Sequence, residues 1–146
     1  MRVLIIHHLE SVWSEGYKRY GTSFWKEAEK VRQHLEEIDY DIVILTRFEE
    51  WELGDEHYEA GLEDHITAVH TYSYGWCKEM AENDPQGKYV EGGAHSEMVQ
   101  IAEWMQGLSA CNVNICGAFD GECIEDLEIA LTALGVEYRR LEGLIV

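Results

Sequence analysis

Basic residues are scarce in this chain: 11 Lys and Arg stand against 29 Asp and Glu, for a net charge of −18. A grip on nucleic acid or anionic lipid needs a patch of phosphate-neutralising cations, and no such patch is visible. Neither partner is expected. Proline occurs once, at Pro85, and no low-complexity tract or internal repeat divides the 146 residues, which read as a single domain, 1–146. The four cysteines, Cys77, Cys111, Cys116 and Cys123, contain no Cys-x-x-Cys pair. They suit free thiols of a cytoplasmic protein better than a disulfide framework. No apolar run is longer than that of Val3–Ile6, far short of the roughly 20 residues of a membrane-spanning helix. The first strand begins at residue 2, so no signal or transit peptide is expected before it. Gly-x-Gly-x-x-Gly and Walker sequences are also missing, which argues against nucleotide binding through those motifs.

What is present is enough for a packed core. Hydrophobic residues make up 46% and aromatics 11% of the chain, a composition that excludes disorder. The acids are mostly Glu on helical stretches, as expected of solvated helix faces. Val3–Ile6 reads as a strand covered on both faces, followed directly by His7 and His8. Thr22 or Ser23 can cap a helix whose apolar face is Phe24, Ala28, Val31, Leu35 and Ile38. Asp41–Leu45 supplies a second buried strand, and the short connection favours a parallel pair.

Further along, an acidic stretch with His57 and His65 reads as a functional loop running into a short helix near residues 60–70. Asn83-Asp84-Pro85-Gln86-Gly87 reads as a turn. Met98, Ile101, Ala102, Met105 and Leu108 share one helix face, and Val113, Ile115, Gly117 and Phe119 alternate as a third strand. A last helix carries Ile124, Leu127, Ala130, Leu131 and Leu134, with Gly135 as its C-cap glycine and Val136–Val146 as a final strand. Strands alternating with helices predict a three-layer α/β/α domain with a mainly parallel sheet and Rossmann-type layering. In such sheets the chemistry lies at the carboxyl ends of strands. Those ends carry His7, His8, the segment Arg47–Glu50 and the segment Phe119–Cys123.

Gly117-Ala-Phe-Asp-Gly-Glu-Cys123-Ile124 runs from strand to turn to helix, with Ala130, Gly135 and Val136 following. This segment resembles the isochorismatase-like cysteine hydrolases, which include nicotinamidases. Ile42–Arg47, with Thr46 near its end, is similar to that family's second strand, and Lys88 lies where the family carries its catalytic lysine. The resemblance implies Cys123 as nucleophile at a helix N-terminus, where the helix dipole favours a thiolate. It implies Lys88 as the cation, and an oxyanion and substrate site formed by Phe119, Asp120, Gly121, Glu122, Glu10 and Trp51. Where the family's first strand ends in a catalytic Asp, this chain has His7, so His7 or Glu10 is the expected base.

The substrate class implied is a small amide, imide or related compound, with no cofactor required. In the nicotinamidase branch an Asp-x-His pair and later histidines hold a metal, and Asp55, His57 and His65 offer a comparable set for Zn or another divalent ion. Solvated polar loop residues are the other reading of that set. Two further functions stay open: a non-catalytic member of the fold that binds a small molecule or protein, and a metal-dependent hydrolase using the acidic-histidine loop. Aromatics outside the periodic core faces, Trp13 and Trp76 among them, fit a ring-binding pocket or a subunit interface, and self-association into a homo-oligomer is expected.

Overall fold

The computed structural model describes residues 1–10, 12, 17–48, 61–72, 96–109 and 112–146. Five strands are β1 (Arg2–His7), β2 (Ile42–Phe48), β3 (Ala68–Tyr72), β4 (Asn112–Gly117) and β5 (Tyr138–Ile145). They form one sheet in the order β3-β2-β1-β4-β5, and every pairing is parallel. The helices among the described residues are α1 (Tyr17–Tyr20), α2 (Phe24–Glu37), α3 (Ser96–Gly107) and α4 (Cys123–Ala133).

Alternation along the central strand builds two cores. Val3 and Ile5 point to one face, where Ile44, Val113 and Ile115 meet Met98, Ile101 and Met105 of α3 and Ile124, Leu127 and Leu131 of α4. Leu4 and Ile6 point to the other, where Val43 and Leu45 meet Phe24, Ala28, Val31 and Leu35 of α2. Helices therefore cover both faces of the sheet, which is why β1 and β2 are continuous apolar runs. No helix among the described residues is long and apolar enough to cross a membrane.

Ser23 is the cap of α2, its hydroxyl accepting from the Lys26 amide at 3.4 Å. At that length the bond is weak, and Ser23→Ala is expected to lower stability by about 0.5 kcal/mol, the low end for N-caps, as read by urea unfolding. Gly135, at φ +70, ends α4 as its sequence position predicts. Ile38 lies just past the end of α2 and is exposed, so it does not extend that helix's apolar face.

Two elements differ from expectation. Residues 61–65 form turns, and the segment expected to be helical continues as β3, paired with β2 from Ile44↔Ala68 to Phe48↔Tyr72. Ala-Val-His-Thr-Tyr is rich in β-branched and aromatic residues, and the open edge of β2 gives it a ladder to join. The third predicted strand stops at Gly117 rather than reaching Phe119, because Gly117 adopts φ +114 and leaves the extended conformation. The expected turn at 83–87 lies outside the described residues.

Candidate active site

The order of the sheet reverses between β1 and β4, so their carboxyl ends bound the crevice where open α/β sheets bind ligands. From the β1 side come His7, His8 and Glu10, all buried. From the β4 side comes the turn from Ala118 to Glu122, leading into Cys123 at the start of α4. The two sides are in direct contact. The Ala118 amide donates to the His7 carbonyl at 2.8 Å, and a Cβ on Gly117 would lie 2.0 Å from that same oxygen.

The histidines are held from β2. Thr46 Oγ1 lies 2.7 Å from His7 Nδ1, and the His8 amide donates to the Thr46 carbonyl at 3.1 Å and to its hydroxyl at 3.3 Å. The two imidazoles stack with centroids 3.8 Å apart. His8 takes φ +50, a left-handed conformation that costs a non-glycine residue about 1–2 kcal/mol. Strain of this kind collects at functional sites.

Cys123 is half-buried at the first position of α4. A helix N-terminus favours a thiolate, but here other forces outweigh it. Burial, followed by the carboxylates of Asp126, Glu122 and Glu10, pushes the Cys123 thiol up to about 12, opposed only by its own backbone N–H. Asp126 is itself pushed up to about 6 by burial and by Glu125. Glu10 is thus the residue beyond β1 whose charge reaches the sulfur. His7, the first choice from sequence, is engaged with Thr46.

The turn's amides divide into two sets. Asp120 donates to the Val146 carbonyl at 2.6 Å, while Glu122 and Ile124 donate to that of Phe119 at 3.1 and 3.2 Å. The backbone N–H groups of Asp120 and Glu122 are therefore spent within the protein. Phe119, Gly121 and Cys123 have amides with no backbone acceptor among the described residues.

Side chains fix the same turn from two directions. Glu122 occupies the N-cap position of α4 without capping it, and its carboxylate instead takes Arg19 at 2.6 and 3.2 Å and the Tyr20 hydroxyl at 3.2 Å. The Tyr20 ring stacks on Phe119 with centroids 4.4 Å apart. On the other side Asp120 pairs with Arg140 of β5 at 2.9 Å. A cavity of about 550 Å3 opens there, lined by Asp120, Gly121, Glu125, Glu128, Tyr138 and Arg140 among others.

Of the other predicted site residues, Lys88, Trp51, Asp55 and His57 lie outside the described residues. His65 is in the turn before β3. Among the described residues no group of three or more His, Cys, Asp or Glu could hold a metal ion. Tyr20 is one of the aromatics outside the periodic core faces, whereas Arg19 carries no motif; the partners of both lie on the far side of the sequence, and only the fold brings them together. No protein-family model, curated protein or solved structure matches this chain.

Proposed function

We propose that the crevice between β1 and β4 is the active site of a hydrolase acting on small amide-like or imide-like compounds through Cys123. The observation that carries this reading is placement: the buried Glu10 follows β1 and Cys123 opens α4 after β4, on the two sides of the point where the strand order reverses. Cys123 Sγ attacks the carbonyl carbon as its proton passes to Glu10. The carbonyl oxygen, now negative, is stabilised by the amides of Phe119, Gly121 and Cys123. Collapse of the adduct expels the amine, which takes the proton from Glu10 and leaves a thioester. Water then hydrolyses the thioester and restores the thiol. Lys88 supplies the cation in this scheme, on the strength of the resemblance alone.

Purified protein screened against simple amides and imides tests the proposal. Cys123→Ala is expected to remove turnover entirely, and Glu10→Gln to lower kcat by about 100-fold or more, the usual worth of a general base. Full activity in Cys123→Ala would sink the mechanism.

One observation favours a second reading. A thiol held near 12 is protonated at neutral pH, which fits a non-catalytic crevice that binds a small molecule and keeps the cysteine as packing. That reading gains if a ligand binds wild type and Cys123→Ala equally and no amide or imide is turned over.

A further inference from the structure

The acids around the head of α4 are in unequal states. Arg19 holds Glu122, Arg140 holds Asp120 and Glu128, and Glu125 stands exposed in water. Asp126 is different. It is half-buried, and its carboxylate has no hydrogen-bond or ion-pair partner among the described residues. It also lies three residues past Cys123 on the same helix. Residues so spaced are surface neighbours with Cβ atoms roughly 5–6 Å apart, and helical side chains lean towards the N-terminus, which carries Asp126 towards the sulfur.

The second stage of the reaction proposed for Cys123 needs such a group. A thiol pushed up to about 12 is a strongly basic thiolate once freed, and so a poor leaving group. Its thioester opens readily only if the sulfur gains a proton as it departs, while the attacking water must lose one. A single carboxylate that accepts and returns a proton beside the sulfur serves both ends. Glu10, only 3% exposed, is shut off from the solvent that supplies this water, whereas Asp126 is partly open to it. Burial and the charge of Glu125 push Asp126 up to about 6, so near neutral pH it is a base that can still take up a proton.

We infer that Asp126 is a second catalytic carboxylate of the crevice, the one that delivers water to the Cys123 thioester. It takes a proton from water as the water oxygen bonds to the thioester carbonyl carbon. The C–S bond breaks, the sulfur takes that proton from Asp126, and the acyl group leaves as a carboxylic acid carrying the hydroxyl of the water.

The inference rests on Cys123 being the nucleophile of the proposed reaction, so its test bypasses amide turnover. p-Nitrophenyl acetate delivers an acetyl group to a reactive thiol, and intact-mass spectrometry with peptide mapping follows acetyl-Cys123 as it forms and clears between pH 5 and 8. In wild type, clearance is expected to rise with pH through a midpoint of about 6, as Asp126 loses its proton. Asp126→Asn should clear the acetyl group about 100-fold more slowly, the usual worth of a general base, and lose that midpoint. Its free sulfur should nonetheless react faster with iodoacetamide, because a negative charge beside it has gone. Opposite signs in the two assays separate proton transfer from damage to the fold, which labelling of Cys116, fully buried in β4, would reveal. Asp126→Glu keeps a carboxylate and should recover the midpoint and part of the rate, and it carries the test if the Asn variant exposes Cys116. Clearance in Asp126→Asn with the wild-type rate and profile would overturn the assignment; if amides are still turned over, only the role of Asp126 falls. A Cys123 that never takes up the acetyl group would overturn both readings. If no amide or imide is turned over but acetyl-Cys123 clears as expected, the hydrolase reading fails and Asp126 keeps its role.

Discussion

Gly117→Ala is expected to abolish cooperative folding, or to lower stability by at least about 4 kcal/mol, the size reserved for backbone and core disruptions. The new Cβ would lie 2.0 Å from the carbonyl oxygen of His7 and 2.8 Å from its carbonyl carbon and nitrogen, all backbone atoms. No rotamer relieves a clash between main chains. The neighbouring ends of β1 and β4 would have to part, taking with them the Ala118–His7 bond and the seat of the crevice. The φ of +114 adds strain for any L-residue. Since a whole domain is stable by only about 5–15 kcal/mol, a loss of that size is decisive. Gly135→Ala is the control, with φ +70 but nothing within 4 Å of an added Cβ, and should cost only about 1–2 kcal/mol. Equal urea midpoints for the two variants would contradict this account.

Alkylation of Cys123 is expected to accelerate close to tenfold per pH unit from pH 7 to 9.5, without levelling off. A free thiol titrating near about 8.5 would reach a plateau in that range, whereas burial and three carboxylates push this one up to about 12. Below its pKa the reactive thiolate fraction grows in proportion to hydroxide. Asp126→Asn, which removes the strongest of those charges, should raise the rate at every pH. A plateau below pH 9 in the wild-type protein would mean that the crevice already holds an activated nucleophile.

The same displacement has a consequence for stability. Folding raises the pKa of Cys116, by burial, and of Cys123, so the unfolded chain loses its thiol protons first as pH rises. The native state then holds more protons than the unfolded one, and stability falls with increasing pH. The contribution is intact below the unfolded value of about 8.5. It is lost as pH climbs from there towards about 12, by about 1.4 kcal/mol per unit for a fully buried thiol. Cys116 meets that condition, and Cys123, partly open to water, should give less. Urea midpoints measured from pH 8 to 10.5 check the direction, and replacing Cys116 by Ala should flatten the slope.

Much of this architecture was legible in the sequence because β1, β2 and β4 are buried on both faces and must be continuously apolar. α2, α3 and α4 announce themselves by apolar positions spaced three and four apart. β3 was hidden for an equally physical reason. Val69 is exposed at an outer strand of the sheet, so the segment Ala68–Tyr72 lacks the run that marks an interior strand, and acidic neighbours suggested a helix instead. The site divides in the same way. His7 and Cys123 stand at strand ends in the sequence itself, whereas Glu10 enters only through what the resemblance implies. Thr46 as the anchor of His7, and Arg19 as the partner of Glu122, depend on contacts 39 and 103 positions apart, which no local pattern encodes. The thiol's protonation was also out of reach, since it follows chiefly from burial.

The central place of β1 has a consequence for synthesis of the chain. One flank of this strand is matched once residues 42–48 have emerged, but the other must wait for residues 112–117. At roughly 5–20 residues per second, the nascent polypeptide exposes an unmatched Val-Leu-Ile-Ile edge for several seconds on the ribosome. Such an edge is a template for pairing with any other extended chain. Expression yield should therefore depend on how quickly, and in how crowded a setting, the second half of the protein is made.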